Sequence, residues 1–311
     1  MFNLPSLQIL DLYNNVNLTG SLPEFPQPSA LQQLILTRTQ FSGSIPHSMG
    51  NLKSLKILYA ANCNFSGPIP YSFSNLPRLE ELVLAQNAFT GPLPSLESSS
   101  KTFRWLDLSF NRFTGSIPAS YANNRLLRAL KLSNNLLTGT VPSSLFNLPF
   151  LETMLLDGNQ LTGALDDDDG DEISPISSSP LYEINLNQNR LGGPIPPSLF
   201  KFPNLQLLNL RSNSFHGVLD PHVFVSNITS IDLSNNTMLS IDPSDIAINV
   251  SQLSNFYFSN CNLSKIPGFF RYQEKLKNLH LSNNHLQGKM PEWIWNVVEN
   301  LDLSSNSLVE F

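Results

Sequence analysis

A single pattern, L-x-x-L-x-L-x-x-N-x-L-x-G-x-I-P, starts at Leu7 and returns at Leu31, Leu55, Leu79, Phe103, Leu127, Leu151, Leu181, Leu205, Ile228, Leu253, Leu276 and Val298. Six successive spacings are 24 residues, and the rest are 30, 24, 23, 25, 23 and 22. Self-similarity at a period of roughly 20–29 residues fixes the architecture before any local secondary structure is assigned, because each copy exposes an apolar face that only its neighbours can cover.

The fifth copy, Phe103 to Pro118, shows the task of each position. Leu106 and Leu108 alternate with Trp105, Asp107 and Ser109, the period-2 signature of a short strand with one face inward. Asn111 turns the chain, and its amide can satisfy backbone groups that the turn would otherwise bury unpaired. Stacked copies then form an asparagine ladder. Phe113 returns to the core, Gly115 permits a backbone conformation closed to other residues, and Pro118 fixes φ where the chain leaves the strand. The expected fold is an α/β but strongly β-rich right-handed solenoid, a horseshoe with a concave parallel sheet. It is read as one domain over 1–311 of about thirteen repeats, with an insertion at about 166–179.

This chain resembles the plant-specific class of leucine-rich repeats, on the strength of the L-x-G-x-I-P tail. Its last third is similar to the receptor-like proteins of plant disease resistance. The residues that carry this are Ser259-Asn260-Cys261-Asn262-Leu263, Ile266-Pro267, Leu276 to Gly288, and Pro291-Glu292-Trp293-Ile294-Trp295. The resemblance implies perception of a peptide or protein ligand on the extracellular side of the plasma membrane, relayed through co-receptor kinases. A receptor-kinase ectodomain for growth or development, and a secreted interaction protein without signalling, are the alternatives. The first repeat starts six residues in and the last breaks off at Phe311, without the family's capping cysteine pair, membrane span or kinase motif. The sequence therefore reads as the repeat region of a longer receptor with both caps missing, and alone it is expected to aggregate through open coil faces.

Charge narrows the partners. With 18 Lys+Arg against 24 Asp+Glu, the net charge of −6 offers no basic field for nucleic acid or anionic lipid. No apolar stretch is long enough to span a membrane. Cys63 and Cys261 both fall on the ladder position, eight coils apart. At the strand spacing that is on the order of 40 Å, too far for a mutual disulfide.

No catalytic constellation emerges. His47, His216, His222, His280 and His285 lack metalloprotease spacing, and there is neither a phosphate loop nor a nucleophile elbow. The chain is expected not to be an enzyme and to need no cofactor or metal. The run Asp166 to Glu172 does not fit a calcium loop, since with Gly170 as the turn glycine the first ligand would be Leu165; it reads as a solvated insertion, with an acidic docking site for a basic ligand as the alternative. Six sequons, at Asn17, Asn64, Asn227, Asn235, Asn249 and Asn262, are candidate glycosylation sites.

Ligand chemistry should lie on the strand positions that face solvent. The central column runs Asp11, Ile35, Tyr59, Val83, Asp107, Lys131, Leu155, Asn185, Asn209, Asp232, Tyr257, His280 and Asp302. Polar residues dominate its second half. In the first half Ile35, Tyr59 and Val83 are adjacent and flanked by Ile57, Trp105 and Phe110, with Arg38, Glu81, Gln86 and Arg104 at the edges. Apolar clusters with aromatic and Arg members are common interface anchors, so this strip is the candidate ligand surface.

Overall fold

The computed structural model describes residues 6–25, 29–97, 101–165, 173, 175, 177–248 and 252–310. The acidic run 166–172 and Asn249 lie outside them. The chain divides into two compact units, Met1–Gln160 and Leu161–Phe311.

Each pattern start leads into a three-residue strand. In the first unit these are Ile9–Asp11, Gln33–Ile35, Ile57–Tyr59, Glu81–Val83, Trp105–Asp107, Ala129–Lys131 and Thr153–Leu155. All pair in parallel and in register, so that Leu10, Leu34, Leu58, Leu82, Leu106, Leu130 and Met154 line up inside. The second unit repeats this with Glu183–Asn185, Leu207–Asn209, Ser230–Asp232, Asn255–Tyr257, Asn278–His280 and Asn300–Asp302. The expected β-rich repeat solenoid is present in both. Helix in the described residues is confined to short 3-10 turns on the return legs, such as His47–Asn51 and Tyr71–Asn75. Pro46 and Pro70, at φ −72° and −61°, launch these turns from extended backbone.

A second set of parallel strands follows the ladder position, a feature the repeat pattern alone did not disclose. In the first unit Thr19–Gly20, Gln40–Gly43, Asn64–Pro68, Ala88–Gly91, Arg112–Gly115 and Leu136–Leu137 pair in order. Between the two sheets runs a spine of Phe41, Phe65, Phe89 and Phe113, whose rings stack at 6.5, 6.1 and 6.1 Å between centroids. In the second unit a denser cluster joins the main sheet to the 3-10 turns, with Phe224 meeting Phe200, Phe256 and Phe269 at 5.7, 5.4 and 5.2 Å. One polar group is buried deep in the first core: the Tyr121 hydroxyl donates to the Pro94 carbonyl at 2.8 Å, and burial raises its pKa.

The ladder takes the expected form. Asn135, buried, donates from Nδ2 to the carbonyls of Leu108, Leu132 and Ser133 at 3.0, 3.0 and 3.3 Å, while Oδ1 accepts from the Phe113 N–H at 3.0 Å. Asn87, Asn111 and Asn159 do the same in their coils, as do Asn236 and Asn284 in the second unit. Cys63 and Cys261 stand in the ladder as free thiols, reaching the carbonyls of Leu36 and Leu233 at 3.2 and 3.4 Å. Burial pushes the Cys261 thiol up to about 12. Thr39 is a third substitute, its hydroxyl donating to the Leu36 carbonyl at 2.7 Å.

Replacing Asn135 by Ala removes four hydrogen bonds at once and leaves the Phe113 N–H without its acceptor, while the Leu108, Leu132 and Ser133 carbonyls keep their other donors, Asn111, Asn159 and the Phe110 N–H. Asn135→Ala should destabilise the chain by about 3 kcal/mol, read as a fall in the urea midpoint at unchanged m-value.

Candidate functional site

In the first unit the solvent face of the main sheet brings the apolar residues together across adjoining strands. Ile35 pairs with Tyr59 and Tyr59 with Val83, while Ile57, Glu81 and Trp105 line up in the neighbouring column. All six are half-buried against one another, so the strip is a packed surface with few freely projecting side chains. Two contacts that column reading missed shape it. The Tyr59 hydroxyl donates to the Glu81 carboxylate, and Lys131 lies 5.0 Å from the centre of the Trp105 ring. Desolvation, followed by the bond to Glu81, raises the Tyr59 pKa, so this group stays protonated throughout the neutral range. The cation over Trp105 caps one face of the indole.

The two edges of the strip differ. On one side Glu80 bridges Lys56, at 3.4 Å, and Arg104. Arg104 thus sits in an ion-paired row, beside a second pair of Arg128 and Glu152 at 2.6 Å. These exposed pairs add little stability, but they occupy charges that would otherwise meet a ligand.

The other edge is a column with unusual backbone. One residue per coil sits in the left-handed region: Asn14, Arg38, Asn62, Gln86, Phe110, Asn134 and Gly158 in the first unit, at φ between 52° and 65°. Gln188, Ser212, Asn235, Asn260, Asn283 and Ser305 continue it in the second, between 53° and 60°. Each is locked there by the sheet, as where the Phe110 N–H donates to the Ser133 carbonyl at 2.8 Å. Asn and Gly tolerate this conformation, and their frequency in the column was the overlooked sequence signal. Phe110 is the outlier, a bulky aromatic held at φ 55° with 52% of its surface exposed. Arg38 in the same column lines an open, polar groove of about 590 Å³ with Asn14, Gln40, Asn62 and Cys63. The eight candidate residues therefore form a floor, Ile35, Ile57, Tyr59, Glu81, Val83 and Trp105, and a rim, Arg38 and Phe110.

The sequons separate by environment. Asn17, Asn64 and Asn262 are exposed, with no side-chain hydrogen bond among the described residues. Asn227 is exposed but donates to the Pro203 carbonyl at 2.6 Å. Asn235 is half-buried in the left-handed column, donating to the Ser212 hydroxyl at 3.0 Å and accepting from Asn260 at 3.1 Å.

Comparison with known proteins agrees with the fold. A leucine rich repeat family model matches residues 101–161, and a second matches 54–76, 180–202 and 275–297. Among curated relatives, Receptor like protein 22 of Arabidopsis thaliana is 36% identical over 140 residues, 43% of this chain and 18% of that protein. Receptor-like protein 7 of the same plant is 34% identical over 152 residues, 45% of this chain and 15% of its own length. The matches thus take in less than a fifth of those relatives. The solved ectodomain of the plant membrane receptor kinase GASSHO1/SCHENGEN3 from Arabidopsis thaliana, in complex with CASPARIAN STRIP INTEGRITY FACTOR 2, superposes with a TM-score of 0.85 at 30% identity. That match covers 99% of this chain and 37% of the other. The plant peptide hormone receptor RGFR1 in complex with RGF2 gives 0.82 at 26% identity, over 99% of this chain and 53% of that one.

Two outcomes follow from the site's geometry. Phe110→Asn should raise the urea midpoint, by about 1 kcal/mol of relieved left-handed strain. In chain secreted from a eukaryotic host, glycopeptide mass spectrometry should find Asn17, Asn64 and Asn262 occupied and Asn235 bare, because a glycan on Asn235 would break the bonded, half-buried amide and hold back folding.

Proposed function

We propose that this chain, a leucine-rich-repeat protein related to the plant receptor-like proteins, is an extracellular recognition region of a plant cell-surface receptor. Its work is binding rather than catalysis. The ligand is a peptide or protein that lies along the apolar floor of the first unit, between the ion-paired edge and the Arg38 and Phe110 rim. The observation that carries this reading is the contiguous floor of Ile35, Ile57, Tyr59, Val83 and Trp105 across four adjoining strands. A half-buried aromatic and aliphatic floor bounded by charge is the composition of an interface centre.

Kinship with receptor-like proteins and the peptide-bound ectodomains above support a receptor role, and the likeness of the last third to disease-resistance receptors favours pathogen perception. The signal would pass through a partner kinase; the HAESA ectodomain, in complex with the peptide hormone IDA and the co-receptor SERK1, matches this chain with a TM-score of 0.70 at 28% identity. The receptor kinases among the structural matches favour a second reading, in which the same repeats belong to a kinase-bearing receptor.

Panning a phage-displayed random peptide library on the 311-residue chain, carried between grafted capping repeats, tests the site. Enriched peptides should carry apolar anchors and bind Tyr59→Ala and Trp105→Ala at least tenfold more weakly. Phe110→Asn should lose affinity while gaining stability. Peptides that bind all three variants as well as the parent would place recognition elsewhere.

A further inference from the structure

The second unit presents the opposite chemistry on the equivalent face. Asp232, Tyr257, His280 and Asp302 occupy the same column on four consecutive strands, in register. At a strand spacing of about 4.8 Å they span roughly 14 Å. They line an open depression of about 290 Å³ together with Arg211 and Asn283.

The groups in it are oriented but unspent. Asp232 accepts the Ser234 N–H at 2.9 Å on one oxygen, and its other oxygen lies 3.8 Å from Arg211. Asp302 accepts the Ser304 hydroxyl at 2.6 Å and the Ser304 N–H at 3.0 Å, and these bonds, the hydroxyl's first, hold its carboxyl below the usual range. The Tyr257 and His280 rings meet edge to face at 4.9 Å. Among the described residues, the Tyr257 hydroxyl, the His280 ring nitrogens and the Asn283 amide have no hydrogen-bond partner. In the first unit the corresponding tyrosine hydroxyl is committed to Glu81. Beside the depression, the floor is stiffened by an amide chain, Asn300 donating to Asn278 at 2.7 Å and Asn278 to Asn255 at 2.5 Å.

Charge selects the ligand class. The carboxylates of Asp232 and Asp302 repel an anion, while Arg211, 3.8 Å from Asp232, offsets one of the two negative charges and weakens the pull on a cation. What remains is a neutral partner able to use donors, acceptors and an aromatic face together, since a tyrosine ring's negative face attracts polarised C–H groups. We infer that the Asp232–Asp302 depression is a second binding site, separate from the apolar floor, for a neutral polyhydroxylated ligand, an oligosaccharide segment. Tyr257 supplies the stacking platform, and Asp302 and Asn283 take the sugar hydroxyls.

The test applies the whole chain, carried between grafted capping repeats, to an array of short neutral oligosaccharides, namely glucans, xylans, mannans and chitin fragments, followed by calorimetric titration of any that bind. Binding of at least one, weakened tenfold or more by both Tyr257→Ala and the isosteric Asp302→Asn and unchanged by the exposed Val218→Ser, is the expected result. Matching thermal melts of the variants would exclude unfolding as the cause. Absence of binding across the array, binding indifferent to Tyr257 and Asp302, or selective capture of an oligolysine peptide that Asp302→Asn abolishes would each overturn the assignment.

Discussion

The side-chain amide at the ladder position holds these coils together. One asparagine donates to carbonyls of its own turn and of the coil before it, and accepts an N–H from that same preceding coil; the Leu108 and Leu132 carbonyls are shared with the next amides of the ladder, Asn111 and Asn159. An unpaired buried N–H costs on the order of 1–3 kcal/mol, so an apolar residue at this position carries a penalty. Everything else follows from that fixed point. With the turn pinned, the strand before it lies in register with its neighbours, and the strand after it forms the second sheet. The phenylalanine spine fills the gap between them. Cys and Thr can substitute because each can still donate to the carbonyl, though neither thiol reproduces the amide's accepting arm.

Much of this was legible in the sequence because it is periodic. The inward leucines, the ladder and the positions facing solvent follow from a strand period of two inside a coil period of about twenty-four, and the structure places them there. The second sheet was hidden since its residues, Arg112 to Gly115 for example, alternate too briefly to register as a strand. The left-handed column was visible in principle as a line of Asn, but Arg38, Gln86 and Phe110 interrupt it, and they invited reading as ligand contacts rather than as backbone-constrained positions. Pairings along the face were beyond reach. Periodicity says that Tyr59 and Glu81, or Trp105 and Lys131, share a surface, but whether their side chains meet depends on rotamers that neighbouring coils decide.

The two units use one scaffold for two chemistries. The first places aliphatic and aromatic groups on its face and ties up its charges at the margin. The second leaves hydroxyl, imidazole and amide groups available on a stiffened polar lattice. Because the solvent-facing side chains take no part in the ladder or the core, either composition is compatible with the same fold, and the face is free to be read as chemistry rather than as structure.

The long coil shows what this separation means over evolutionary time. Leu161 still finds its acceptor on Asn189 at 3.0 Å, although the two are 28 positions apart in the chain instead of the 22 separating Leu137 from Asn159. Lengthening a return leg leaves the bonding rule of the coil intact. Whole coils can accordingly be duplicated, lost or exchanged by unequal recombination without any new folding problem to solve. A lineage carrying such genes can therefore reassort its recognition surface one coil at a time.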